Sequence, residues 1–101
     1  MLCFLTARKL KPGTFADFRD AWEPLDWDPR FIRAYHVRRL DDEDEVVSFG
    51  LFDGTPDDYR QLSAAAGEEE RARVERMSEF VDQVVLDGVY EVIDEVTPPG
   101  R

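Results

Sequence analysis

The chain has 101 residues, 43% of them hydrophobic and 36% charged, and a formal net charge of −10 at pH 7. These values predict one globular domain and disfavour nucleic acid or a membrane as a partner, because both present negative charge. Only one cysteine, Cys3, and one histidine, His36, are present, so we expect no internal disulfide and no cysteine-based or multi-histidine metal site. We also expect no cofactor, no metal and a cytoplasmic location.

The beginning of the chain predicts a strand and then a helix. Residues 2–9 start with apolar side chains and end at a Lys-Pro-Gly turn, which is typical of a strand. Thr14 is a favourable N-cap for the helix that follows, and Pro24 ends that helix. The helix carries an aromatic stripe at helical spacing, formed by Phe15, Phe18 and Trp22.

The middle of the chain predicts a hairpin. Residues 31–40 and 45–52 are rich in aromatic and β-branched side chains, which favours two strands. The acidic segment 41–44 separates them. We therefore expect this segment to form a tight, solvated turn.

The C-terminal half predicts two helical segments and a last strand. Thr55 followed by proline is a strong start for a helix that continues to Gly67. Apolar residues at spacings of three and four predict a second helix over 68–87, and residues 89–96 predict the strand. Residues 1–96 then form the domain, and residues 97–101 form a frayed tail.

The element order βαββαβ indicates an α+β, ferredoxin-like fold, with a four-stranded antiparallel sheet and the helices on one face. Its first and third strands lie in the centre of the sheet, and both have apolar residues on both faces here. Because the helices cover only one face, an apolar face is left uncovered. We therefore expect a homodimer in which the sheets pack face to face.

Two segments resemble a known superfamily. The opening strand is followed by Lys-Pro-Gly-Thr-Phe-Ala-Asp-Phe-Arg (11–19), and Phe-Gly-Leu-Phe (49–52) precedes a short capped helix. From residue 2 to 96 the chain resembles the dimeric α/β barrels, and within them the antibiotic-biosynthesis-monooxygenase-like domains. The resemblance implies a cavity between sheet and helices for an aromatic, polyketide-like or haem ligand, and in several members oxidation by O₂ without flavin or metal.

The sequence departs from the family's known catalytic sets. It contains no asparagine, and its histidine lies in a predicted strand. The Asn/Trp/His set of the haem-degrading branch therefore has no counterpart here, and neither do the Asn and Trp residues of the quinone-forming oxygenases.

His36 is the first candidate for a catalytic acid or base, because an unperturbed imidazole titrates near neutral pH. The alternative is a structural histidine at a sheet edge or dimer interface. Arg33 and Arg38 are candidates for binding a carboxylate or phenolate. They are also suited to pairing across the dimer with acidic residues of the last strand, which are Glu91, Asp94 and Glu95.

Aromatic residues supply the other candidates for substrate binding. Trp22 and Tyr59 lie on helices that roof the expected cavity, and Trp27 lies in a loop that can close its mouth. Tyr35 shares a strand face with Arg33, and the sequence does not decide which face lines the cavity. At helical spacing, aromatic residues such as Phe15, Phe18 and Trp22 more often belong to the ordinary core.

Two functions are consistent with these residues. The first is a cofactor-independent monooxygenase for an aromatic or polyketide-like substrate, in which His36 or a water that it holds removes a proton. Arg33 or Arg38 then stabilises the anion. The alternative is a non-catalytic dimer that binds a small ligand or serves as an assembly partner.

Overall fold

A computed structural model describes residues 1–100, which form one four-stranded antiparallel sheet and three helices. The sheet order is β2-β3-β1-β4, so β1 and β3 are central, and the predicted ferredoxin-like α+β fold is confirmed. The elements in chain order are β1 Leu2–Leu10, α1 Phe15–Trp22, β2 Phe31–Arg39, β3 Asp42–Phe52, α2 Pro56–Ala65, α3 Glu68–Ser78 and β4 Val81–Glu91.

The strand register separates the sheet into a helix side and an outer side. Cα pairs join Thr6 to Ser48 and His36 to Ser48, so these three side chains lie on the same side of the sheet. In β3 the even-numbered residues from Val46 to Phe52 are buried, while the odd-numbered residues between them are partly exposed. Even-numbered residues of β1, of β3 and of β2 from residue 34 onward therefore face the helices.

A dry core closes one end of the helix side. Leu10 and Val46 from the central strands pack against Phe18 of α1 and Met77 of α3, and each is at least 95% buried. Helix α2 is different, because none of its residues is buried. The sheet is thus tightly covered by α1 and α3 and only loosely by α2.

The predicted helix over 68–87 is wrong beyond residue 78. Helix α3 ends at Ser78, and the chain turns into β4, with the Phe80 carbonyl accepting a hydrogen bond from the Lys11 amide at 2.9 Å. Val81 and Val84, which continue the helical spacing in the sequence, instead pair with β1. β-branched side chains are favoured in strands. Gly88, which directly follows the predicted helix, lies inside β4.

The last strand is therefore earlier than predicted. It ends at Glu91 instead of residue 96, so Asp94 and Glu95 lie beyond the sheet. Residues 92–100 are outside helices and strands, and Arg101, the end of the predicted tail, lies outside the described residues.

The acidic segment belongs to β3 and does not form the whole turn. The turn is Leu40–Asp41, and β3 already begins at Asp42. Lys9 of the neighbouring strand forms an ion pair with Asp42, and Arg39 forms one with Glu45 at 3.3 Å. Cations on adjacent strands thus make acidic residues compatible with strand structure.

The two predicted N-caps have different outcomes. Thr55 forms a full capping box with Asp58, with hydrogen bonds of 3.1 and 2.8 Å. Thr14 occupies the position before α1 but makes no capping hydrogen bond, because its hydroxyl donates to the Lys11 carbonyl at 2.7 Å. No helix formed by residues 1–100 has the length and apolar character needed to cross a bilayer.

Phe18→Ala tests the dry core. Phe18 is 0% exposed, and truncating such a side chain typically lowers the free energy of unfolding by about 3–5 kcal/mol. Urea denaturation followed by circular dichroism measures this loss. Leu40→Ala is the control, because Leu40 is fully exposed in the turn and its truncation should change stability by no more than about 0.5 kcal/mol. Equal effects of the two changes would contradict this assignment of the core.

Candidate functional site

A cavity of about 430 Å³ lies beside the dry core, between the helix side of the sheet and the helices. This volume is within the range of about 300–1,000 Å³ that is usual for small-molecule sites. Six aromatic residues line it, and they are Phe4, Trp22, Trp27, Phe31, Phe49 and Tyr59.

The aromatic walls form a continuous packed set. The Phe4 ring meets Tyr59 and Phe31 edge to face, with centroid distances of 5.3 and 5.2 Å. Trp27 bridges Phe31 and Trp22 at 5.6 and 5.5 Å. Trp27 is 43% exposed, so it lies where the cavity meets solvent. Such walls suit a flat ligand that offers its faces and edges to the rings.

Polar side chains interrupt these apolar walls at a few points. On the sheet, the Thr6 hydroxyl donates to the Asp87 carboxylate at 2.9 Å. From α3, Arg73 makes two hydrogen bonds to Glu70, at 3.0 and 2.7 Å, and a third to the Trp22 carbonyl. These acids and Arg73 are thus already partnered by protein groups.

Arg8 is the cation that projects from the centre of the sheet. It lies on β1, lines the cavity, and its guanidinium stacks over the Phe18 ring at 5.1 Å. Burial is the main influence on its pKa and lowers it, while Asp87 raises it and Arg73 lowers it. An arginine stays protonated despite such shifts, so the cavity contains a fixed positive charge.

His36 is packed behind the cavity wall. Its Nδ1 lies 2.7 Å from the Ser48 hydroxyl oxygen, and its ring meets Trp22 edge to face at 4.4 Å. Its Nε2 is sealed from solvent and has no hydrogen-bond partner among residues 1–100. Burial lowers the pKa of His36 to about 4, with Arg19 and Arg8 lowering it further and Glu23 opposing them. The imidazole is therefore neutral at pH 7.

Solved structures share this fold. A protein from Chloroflexus aurantiacus assigned as an antibiotic biosynthesis monooxygenase superposes with a TM-score of 0.70 at 10% identity, over 95% of this chain and 96% of that one. SnoaB, a cofactor-independent oxygenase from Streptomyces nogalater, gives 0.66 at 13% identity, over 96% and 97%. The chain has the fold of the antibiotic biosynthesis monooxygenases.

The same fold also occurs outside the oxygenases. An uncharacterized NIPSNAP domain protein from Burkholderia xenovorans gives a TM-score of 0.67 at 16% identity, over 97% of this chain and 99% of that one. No protein-family model and no curated protein matches the sequence. At these identities the likeness to antibiotic biosynthesis monooxygenases concerns the fold, and chemistry has to be argued from the site.

Three of the predicted site residues, Trp22, Trp27 and Tyr59, line the cavity of this monooxygenase-like fold. His36 does not line the cavity itself, but it contacts two residues that do, Ser48 and Trp22. Arg38 lies on the helix side but over the Phe15 ring, at 5.5 Å and away from the cavity lining.

The structure does not bring Arg33 and Tyr35 into the cavity. They lie on the outer side of β2, where the Arg33 guanidinium donates to the Tyr35 hydroxyl at 3.4 Å. Tyr35 stacks on Phe49 with a centroid distance of 5.1 Å. The two faces of β2 thus separate as alternation requires, with His36 and Arg38 on one side and this pair on the other.

Sequence reasoning missed the polar residues of the cavity. Arg8 lies on the same face of β1 as Leu2 and Leu10, which are both buried. A charged residue on the buried face of a central strand indicates a functional role, and this signal was present in the sequence. Asp87 was missed as a cavity residue because its segment was predicted to be helical. Arg73 and Ser48 gave no local signal, since their partners lie far away in the sequence.

The pKa of His36 is directly testable because the chain has a single histidine. The ¹H–¹³C signals of its ring should titrate with a midpoint near pH 4 in the folded protein and near about 6.5 in urea. Between these values the unfolded chain binds a proton that the folded chain does not, so the free energy of unfolding falls as pH falls through this window.

His36→Gln is the control for the stability effect, since glutamine does not titrate. The variant should lose less stability than the wild type between pH 6.5 and 4. A folded-state midpoint near 6.5 would contradict the buried, neutral imidazole.

Proposed function

We propose that this protein is a small-molecule-binding member of the antibiotic-biosynthesis-monooxygenase-like group and acts as a cofactor-independent monooxygenase on an aromatic or polyketide-like substrate. The observation that carries the proposal is the cavity of about 430 Å³ walled by Trp22, Trp27 and Tyr59. A planar, fused-ring compound matches such walls in shape and polarity.

The reaction needs only the substrate and O₂. A methylene carbon between two aromatic rings loses a proton to water before binding, and the resulting carbanion gives one electron to O₂. The substrate radical and superoxide then combine into a peroxide, which loses water to leave a carbonyl. One oxygen atom ends in the product and the other in water, and the electrons come from the two C–H bonds. An apolar enclosure favours these steps by excluding bulk water from the reactive intermediates.

His36 supports this chemistry from behind the wall. A base with a pKa of about 4 is too weak to remove a proton efficiently from a neutral aromatic compound at pH 7. We therefore propose that the substrate binds as an anion, and that His36 acts as a positioning residue. Its Nδ1, 2.7 Å from the Ser48 oxygen, fixes the hydroxyl in the cavity wall.

Oxygen uptake with a hydroxyanthrone such as 1,8-dihydroxyanthrone tests the activity. The purified protein should consume O₂ faster than the spontaneous oxidation of the anthrone. With ¹⁸O₂, mass spectrometry should find one labelled oxygen atom in the quinone. Uptake no faster than the protein-free rate, with the anthrone shown to bind, would contradict the oxygenase and leave a ligand-binding protein.

Substitutions at two neighbouring residues of α2 distinguish an effect on the cavity from an effect on the rest of the surface. Ser63 lines the cavity and Ala64 does not. Ser63→Trp should fill the cavity and lower the enzymatic rate by about 10-fold or more, because misplaced substrates react poorly. Ala64→Trp adds the same side chain elsewhere on the helix and should leave the rate unchanged.

We propose further that two copies of the chain pack through the outer side of the sheet. This side is apolar but partly open to solvent, with Tyr35, Val37, Leu86 and Tyr90 each exposed by more than 40%. Contiguous apolar surface of this kind is unusual on a monomer. A second copy offers the matching surface under two-fold symmetry.

Val37→Glu tests this assembly. Light scattering at micromolar concentration should give the wild type twice the chain mass of 11.7 kDa. A glutamate at position 37, at present 44% exposed on the outer side, places a charge in the interface and should shift the protein to monomers. Leu40→Glu adds the same charge in the hairpin turn and should stay dimeric. A monomeric wild type would overturn the proposal.

A further inference from the structure

Arg8 is positioned like a ligand-binding residue and unlike a surface cation. It lies on the central strand β1, on the side that faces the helices, and it is partly buried. The residues two positions away on each side, Thr6 and Leu10, share this side of the sheet. A guanidinium held there is stable only if its charge and its N–H groups find partners.

The protein supplies few of those partners. A guanidinium has five N–H donors, yet among residues 1–100 the one hydrogen-bond acceptor for Arg8 is the Ser48 hydroxyl, at 3.5 Å. Within the same part of the chain no carboxylate lies within 4 Å of it. Most of its hydrogen-bonding capacity is therefore unused, at a place that lines the cavity.

Three other charged residues of the cavity lining, Asp28, Glu70 and Arg73, are paired within the protein, whereas the lining residues Asp26 and Asp87 form no ion pair among residues 1–100. Arg73 is held by Glu70 in a two-point pair. Asp28 accepts two hydrogen bonds from the Arg30 side chain and one from its amide, which together lower the pKa of Asp28 to about 2. Asp87 is the carboxylate that acts on Arg8 from a distance, and it accepts a hydrogen bond from Thr6.

The backbone beside Arg8 is irregular in a way that favours a site. The β1–β4 register shifts between Ala7 and Arg8, where Val85 is an extra residue in β4. Such bulges redirect side chains and are frequent next to functional sites.

From these observations we infer that the ligand is an aromatic anion, and that its negatively charged oxygen binds to Arg8 while its rings lie between the aromatic walls. This inference rests on the proposed function, including the negative charge of the substrate, and adds the residue that binds this charge. A phenolate, an enolate and an aromatic carboxylate share the required chemistry, namely an oxygen that accepts charge-assisted hydrogen bonds from the unused N–H groups.

Two probes of the same shape isolate the charge. At pH 7.5, 2-naphthoate is an anion and 2-naphthamide is neutral, and calorimetry gives the dissociation constant of each. Wild-type protein should bind the naphthoate about 10-fold or more tightly than the amide, as expected for charge-assisted hydrogen bonds.

Three variants assign the preference to Arg8. Arg8→Met keeps the length of the side chain without its charge and should bind the two probes with similar affinity. Asp87→Asn removes the nearby negative charge and should tighten naphthoate binding several-fold without affecting the amide. Arg33→Met is the matched control on the outer side of the sheet and should behave as the wild type.

The outcomes are distinguishable. Equal binding of the two probes by the wild type overturns the inference and leaves the aromatic cavity of the proposed function intact. A preference that survives in Arg8→Met also overturns it. If Arg8→Met does not fold, an unchanged naphthoate affinity in Asp87→Asn overturns it instead. Failure of both probes to bind the wild type overturns the inference and the proposed function together.

Discussion

The whole arrangement depends on how incompletely the helices cover the sheet. Helices α1 and α3 close tightly over one end, where Phe18 and Met77 meet Leu10 and Val46. Helix α2 has no buried residue, and it touches the sheet through Tyr59 and Phe4. The dry core supplies stability, and the gap between it and the buried pair Leu2 and Phe52 is the cavity. Site and core therefore occupy the same face of the sheet.

Side chains alternate between the two faces of a strand, and this made the two central strands predictable. Each of them has apolar residues on both faces, so each has to be buried on both faces. The end of the chain was not predictable in this way. Val74 and Met77 belong to a helix, and Val81 and Val84 to a strand, yet the four together satisfy helical spacing. The extra residue in β4 also breaks the period of two that identifies a strand.

The candidate site was partly predictable for a similar reason. Trp22 and Tyr59 follow helical periodicity, so their inward direction can be read locally. The surroundings of His36 cannot be read locally, because Trp22 and Phe18 contact its ring from helix α1. Burial under those rings lowers the pKa of His36 to about 4 and so makes a residue predicted to act as a base a weak one. Arg8 meets Ser48 across 40 positions of sequence, a contact that only the sheet register creates.

The irregular register of β4 also bears on how the sheet avoids unwanted strand pairing. β4 is an edge strand of eleven residues that contains exposed valines, Val84, Val85 and Val89. A long, flat edge of this composition would invite the edge of another molecule to add to it and start aggregation. The two register shifts along β4 twist the edge out of plane, and Asp82 places a charge within it. The same distortion that borders Arg8 thus keeps the open edge of the sheet from acting as a template.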